Sequence, residues 1–408
     1  MRFLKYTLPV VLSVAVLCSC TKVASDPLYS SGERIIFHAP MMTVETKSTL
    51  KDALVAGDAF GVIGYCIPYS VGTSALDPSG ATSNWSTKRN LCPPNVFYGQ
   101  KVTVTGDGCE YDYSSPAGTG GNNPKYWYRW DVIAERGYGL EGTPDVNATS
   151  ASDNYSYSFF AYYPYEDVFT IQSPANAAEA GAPRLLFSMP QTGNNISDRI
   201  EHTQTPDAMV SILYNARRGD NLQFSMSHIL TGLGFEVNNF SERNLVVHNI
   251  TLSGRFYKQV DIDFTSDVVA YTFPDSRYTG TYTVYSEDAS GPLNLPAPAD
   301  GEAVTSSESP IGEEYILLIS GKENAYFGDG TGENEIRVNI DYTFDGTRKM
   351  VFYTRPGTFT PRPGIKYTAQ LNFVGDAFVL QFVVDNADMW EDGEMDDEDG
   401  SNDDIIFQ

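Results

Sequence analysis

The stretch YSYSFFAYYPY, Tyr155–Tyr165, decides the fold. It is an aromatic run of period two, which Pro164 stops. Alternation with period two is the signature of a β-strand, whose successive side chains point to opposite faces. The same pattern recurs outward from it in both directions. RIIFHAPMM, Arg34–Met42, sets Ile35, Phe37, Ala39 and Met41 on one face, and DAFGVIGYCIPY, Asp58–Tyr69, reads as a further strand. Pro40 removes a ladder donor, which assigns Arg34–Met42 to a sheet edge. On the other side, NLQFSMSHILTGLGFEV, Asn221–Val237, alternates Leu222, Phe224 and Met226 until Gly232 and Gly234 interrupt it. NLVVHNITLSGRF (244–256), EEYILLIS (313–320), NEIRVNIDYTF (334–344), RKMVFYTRPG (348–357), IKYTAQLNFVG (365–375) and AFVLQFVVDN (377–386) complete the series. Turn residues separate these runs at short spacing and no long amphipathic helix is present, so the chain is expected to be all-β, of sandwich type.

Three Ser/Gly/Pro/Asn-rich stretches read as long loops: residues 107–125, 140–154 and 286–310. HTQTPDAMVSILYNARRGD, His202–Asp220, reads as the link between two β domains, with the boundary at Arg217. The expected organisation is a signal peptide over 1–19, a leader with the first edge strand over 20–47, and an N-terminal domain over 48–216. A C-terminal domain over 217–408 carries an acidic loop and a short final strand, DIIFQ.

The start of the chain supplies the address. Arg2 and Lys5 precede the apolar run Leu8–Leu17, which is too short to span a bilayer. LCSC follows, Leu17–Cys20, and resembles a bacterial lipobox, in which the cut falls before the second cysteine. Cys20 is therefore expected to carry diacylglycerol and acyl chains that hold the protein to a membrane. Cys66, Cys92 and Cys109 remain beyond it; three is odd, so a disulfide scaffold is not the organising principle, though one bridge stays open. The net charge of −25 excludes nucleic acid as an expected partner. Asp385–Asp404 alone holds eleven acidic residues and no basic one, and reads as a solvated surface loop.

Catalytic chemistry is not legible. His38, His202, His228 and His248 have no ligand spacing, and there is no G-x-S-x-G elbow, H-E-x-x-H pair or phosphate-binding Gly-rich loop. His228 sits inside a strand pattern and reads as a hydrogen-bonded structural histidine. The tripeptide Arg-Gly-Asp within Arg217–Asp220 reads as a turn. DDEDGSNDD, Asp396–Asp404, fails the calcium-loop register, because Gly400 in sixth place puts Met395 in first. No enzyme, metal or cofactor is expected beyond the covalent lipid.

SFFAYYPY (158–165), LQFSMSHILTGLGFEV (222–237), RPGIKYTAQLNF (362–373) and VVDNADMWEDG (383–393, with Trp390) together resemble the fimbrillin family, the type V pilins of Bacteroidetes. The lipobox and ETKSTL, Glu45–Leu50, are similar to that family's leader. The resemblance implies two transthyretin-like β-sandwich domains in tandem and export as an outer-membrane lipoprotein. It further implies removal of a leader by a trypsin-like protease and assembly with other pilin subunits by strand exchange. Host or bacterial surface ligands are expected as adhesion partners. Lys47 in the expected cut loop, where the family has arginine, and Arg34 before the edge strand are the candidate cleavage sites. Ile405, Ile406 and Phe407 form the candidate donor strand. A second function is carried by Trp85, Trp127 and Trp130: a monomeric surface lipoprotein that stacks glycans on exposed aromatic rings.

Overall fold

The computed structural model describes residues 29–42, 53–68, 85–90, 92–94, 96–111, 126–128, 155–216, 219–266, 268–321, 336–353 and 361–384. The described residues are almost wholly β. In chain order the strands are β1 (Tyr29–Arg34), β2 (Phe37–Met42), β3 (Ala59–Pro68), β4 (Phe97–Thr105), β5 (Gly108–Tyr111), β6 (Tyr126–Tyr128), β7 (Tyr155–Tyr163) and β8 (Phe169–Ser173). Next come β9 (Arg184–Ser188), β10 (Asn194–Ile200), β11 (Met209–Ala216), β12 (Leu222–His228), β13 (Thr231–Asn239), β14 (Leu245–Tyr257), β15 (Gln259–Asp263) and β16 (Ala270–Thr272). The last are β17 (Arg277–Ser286), β18 (Leu293–Leu295), β19 (Thr305–Ser306), β20 (Ile316–Leu318), β21 (Arg337–Phe344), β22 (Thr347–Tyr353), β23 (Lys366–Val374) and β24 (Ala377–Val384). The α-helices among the described residues are single turns, Trp85–Lys88 and Glu287–Ser290, and none is long and apolar enough to cross a membrane.

β7 lies at the centre of a seven-stranded sheet ordered β2-β12-β11-β7-β3-β4-β5. Both of its faces are covered. Tyr157, Phe159, Ala161 and Tyr163 enter one core, and Phe160 and Tyr162 enter another. The period-two reading therefore holds, but with a core on each side instead of a solvent face. Gly61 stands opposite Tyr162 on β3 because the tyrosine ring lies flat across it; a Cβ there would fall 2.0 Å from Tyr162 Cζ.

The second core joins this sheet to the rest of the molecule. A four-stranded sheet, β16-β15-β9-β8, packs on its outer face, with Phe160 against Phe264 at 5.2 Å and Tyr162 against Phe169 at 5.2 Å. A six-stranded sheet, β10-β17-β14-β21-β22 with β18 on β14, faces a five-stranded one, β19-β13-β23-β24 with β20 on β13. Tyr342, Phe344, Phe373 and Phe378 close the space between these last two at centroid distances of 4.8–5.7 Å.

Strand pairing crosses the expected boundary at Arg217. β12 pairs with β11 and β2, so residues 222–228 belong to the first sheet and the chain changes sheets at Ile229–Leu230. β11, read as part of a linker, is a sheet strand paired with β7. The halves are also interleaved: β9 pairs with β15, and β10 lies parallel to β17. Partner choice across that distance is set by tertiary packing, which local alternation does not encode. Gly232 and Gly234 do not interrupt a strand; they lie inside β13, where the ring of Tyr315 rests on them. The loops at 107–125 and 286–310 contain strands β5, β18 and β19 and the turn Glu287–Ser290. The loop at 140–154 lies outside the described residues.

Candidate strand-exchange groove

β2 is an edge strand, as its proline requires. It runs parallel to β12, with Phe37 opposite Leu222 and His38 opposite Gln223. The register then slips: Met41 pairs with Ser225, so β2 carries one residue more than its partner. An extra residue flips the alternation. Ile35 and Phe37 are buried and Ala39 half-buried, but beyond the bulge Pro40 turns inward and Met41 is 53% exposed. The expectation that Met41 faces the core is corrected accordingly.

Phe37 is the centre of what β2 contributes. Its ring meets Phe224 in a stack at 5.3 Å, Phe159 edge-on at 5.3 Å and Phe97 at 5.7 Å. Burying Ile35 and Phe37 stabilises the fold by about 1.5–3 kcal/mol each. That is a large part of a domain's net stability of about 5–15 kcal/mol, so β2 cannot leave unless something replaces it. Three side chains hold carbonyls of β2 and of Ile35 just before it. Tyr111 donates its hydroxyl to Ile35 O at 3.0 Å, Gln223 donates Nε2 to Ala39 O at 2.9 Å, and Cys109 Sγ approaches His38 O at 3.4 Å. β5 therefore flanks the free side of β2 without forming a ladder with it. Burial pushes the Cys109 thiol up to about 11, which leaves it protonated and unreactive while β2 is in place. Sequence reading missed Cys109 and Tyr111 because they fell in a stretch taken as a loop. The alternation of Cys109 and Tyr111 about exposed Glu110 was the available signal.

β1 precedes this edge and pairs with β6, placing Arg34 opposite Tyr126. Cys20, Lys47, Trp130, Trp390, Ile405, Ile406 and Phe407 lie outside the described residues. Cys66, Cys92 and Cys109 are buried, and no disulfide joins them. His228 is buried and its Nδ1 lies 2.6 Å from Asp207 Oδ1, a structural pair where β11 begins and β12 ends.

Trp85 and Trp127 do not form a platform. Trp85 is 1% exposed, held between Tyr65 at 4.8 Å and Phe160 at 4.7 Å. Trp127 is 3% exposed and meets Tyr157 edge-on at 4.8 Å. Both rings lie in cores, where no sugar can stack on them.

No family model matches the chain, and no curated protein matches it. Among solved structures it is similar to a fimbrial protein from Bacteroides vulgatus, at 16% identity and a TM-score of 0.49, over 86% of this chain and 98% of that one. It is also similar to two structures named "putative cell adhesion protein". The one from Bacteroides uniformis has 13% identity and a TM-score of 0.38 over 86% and 98% of the two chains, and the one from Bacteroides ovatus 13% and 0.36 over 87% and 97%.

Proposed function

We propose that the chain is a structural, non-catalytic subunit of a surface fimbrium that serves adhesion. In this reading it is exported as a lipoprotein, held to the outer membrane by the lipid on Cys20, and joined to other subunits by strand exchange. The observation that carries the reading is β2: an edge strand, parallel to its one ladder partner, broken by a bulge and a proline, yet filling the centre of an aromatic core. Parallel pairing is slightly weaker per residue than antiparallel, and an edge vacated by such a strand presents unpaired backbone groups to an incoming one.

Cleavage after Lys47 is favoured over Arg34. Arg34 is followed directly by Ile35, which is fully buried and whose carbonyl Tyr111 holds. A cut there would also leave β2 attached to the body of the protein. The test is to treat purified precursor with a trypsin-like protease and follow its size. Oligomers are expected only after cleavage on the C-terminal side of Met42; a cleaved chain that stays monomeric at high concentration overturns the reading. Glycan stacking on Trp85 and Trp127 is withdrawn because both are buried.

A further inference from the structure

The sheet built on β13, β23 and β24 has one face in the core and one face partly uncovered. Phe235, Val237, Leu371 and Leu380 point inward and are buried. The alternate positions form rows on the other face, because directly paired residues share a side. Glu236, Gln370 and Gln381 make one row, and Ser306, Asn238, Asn372 and Val379 make the next. Phe240 follows β13, and its N–H still donates to Phe373 O at 2.9 Å, which sets it beside Val374 and Ala377 in a third row. Pro310 and Tyr315 close one end of the face where they rest on Gly234. The other end is open: Phe240 is 43%, Val374 53% and Val379 44% exposed.

The polar groups in these rows are held ready for a ligand. Asn238 Nδ2 donates to Asn372 Oδ1 at 2.9 Å, which fixes both amides. Gln370, Gln381 and Glu236 are half-buried, yet their side chains have no hydrogen-bond partner among the described residues. Amides donate and accept, as sugar hydroxyls do. The Phe240 ring, unlike those of Trp85 and Trp127, is open to stacking. No lysine or arginine stands in the three rows, so nothing there attracts a polyanion or an acidic lipid surface. A flat face also offers no backbone groups to a peptide strand. We infer that this face binds a short, uncharged oligosaccharide, with Phe240 against a sugar ring and the Asn372, Gln370 and Gln381 amides on its hydroxyls. The inference rests on the adhesion part of the proposed function, to which it adds a ligand class, and does not require strand exchange.

The test applies the full precursor to an array of immobilised uncharged oligosaccharides and their sialylated counterparts. Binding to uncharged members is expected, and raising the salt should change it little. Phe240→Ala should weaken it about tenfold, the scale of one aromatic contact. Gln381→Ala should weaken it about fivefold, the scale of one hydrogen bond. Ile196→Ala, at an exposed position on β10, should leave it within about twofold. An unchanged unfolding midpoint in each variant shows that the fold is intact. A parent that binds no uncharged oligosaccharide, or only sialylated ones, overturns the inference. So does binding that Phe240→Ala and Gln381→Ala leave unchanged. Self-association of the precursor that Phe240→Ala abolishes would give the face to a second copy and overturns it as well. Cells that display the protein and adhere equally well with Phe240→Ala overturn the inference but leave adhesion standing. Cells that adhere no better with the protein than without it overturn the adhesion reading itself.

Discussion

Two of the strands that lie parallel to a later neighbour, β2 and β13, are built to opposite specifications. β13 pairs with β23 through eight consecutive residues, Gly232–Asn239 against Lys366–Phe373, without a shift of register. Its other side is capped at one end by β20 and at the other by β19. Every residue of β13 but Glu236 is buried. β2 has one ladder, a bulge in the middle of it and a proline, and two large apolar side chains, Met41 on the strand and Ile36 just before it, turn to solvent. Parallel pairing alone therefore does not make a strand removable. What distinguishes β2 is how few of its backbone groups are tied into a ladder while its two inward side chains still fill a core.

The sharpest way to break this comparison is to truncate one aromatic on each strand. Phe37→Ala and Phe235→Ala remove comparable buried rings, 1% and 2% exposed, and each should cost about 3–5 kcal/mol in the uncut protein. After cleavage and release of β2 the two should part. Phe235→Ala retains its full cost in denaturant unfolding, while Phe37→Ala no longer matters. Equal costs before and after cleavage would mean that β2 never leaves.

A smaller effect tests why β13 is permanent. A Cβ on Gly234 would fall 2.7 Å from Pro310 Cβ and 3.0 Å from the Tyr315 ring. Gly234→Ala should therefore cost about 1–3 kcal/mol through overpacking, lifting the segment that covers the open middle of the β13 edge. Hydrogen exchange should then quicken at β13 and β20 but not at β12. Unchanged protection there would show that Tyr315 and Pro310 do not hold that edge closed.

The comparison also marks what was legible in the sequence. Residues 59–68, 155–163 and 222–228 announce themselves: the last alternates without a break, the first two are apolar and aromatic runs, and none needs knowledge of its partner. Phe37 and Ile35 were legible for the same reason. Met41 was not, because the bulge that turns it outward depends on the register against Ser225. β11 was hidden by its flanks, Pro206-Asp207 before and Arg217–Asp220 after, which carry turn chemistry although the eight residues of the strand do not. The interleaving of β9 with β15 and of β10 with β17 was beyond reach, since pairing between distant segments leaves no periodic trace. Trp85 and Trp127 misled because Gly- and Pro-rich flanks suggest exposure, whereas a core decides where an indole goes.

The smallest expected effect is the most informative about how β2 is held. Gln223 Nε2 donates to Ala39 O at 2.9 Å, tying β2 to β12 just where the bulge interrupts the ladder. Gln223→Ala removes one such bond and should cost about 1 kcal/mol. That loss should fall on local opening of β2 and leave global unfolding nearly unchanged. Cys109 reports local opening directly. Its thiol packs beneath β2, 3.4 Å from His38 O, and burial pushes it up to about 11, so the closed form is inert at neutral pH. Opening exposes the thiol and returns it toward the ordinary range, where a larger thiolate fraction reacts. The labelling rate then follows the open population, and 1 kcal/mol should speed it about fivefold. Cys92, buried in the other core, is the internal control and should label only at the rate of global unfolding. If Cys109 and Cys92 label together, and Gln223→Ala moves neither, then β2 opens only with the whole fold, and the contrast with β13 has no energetic content.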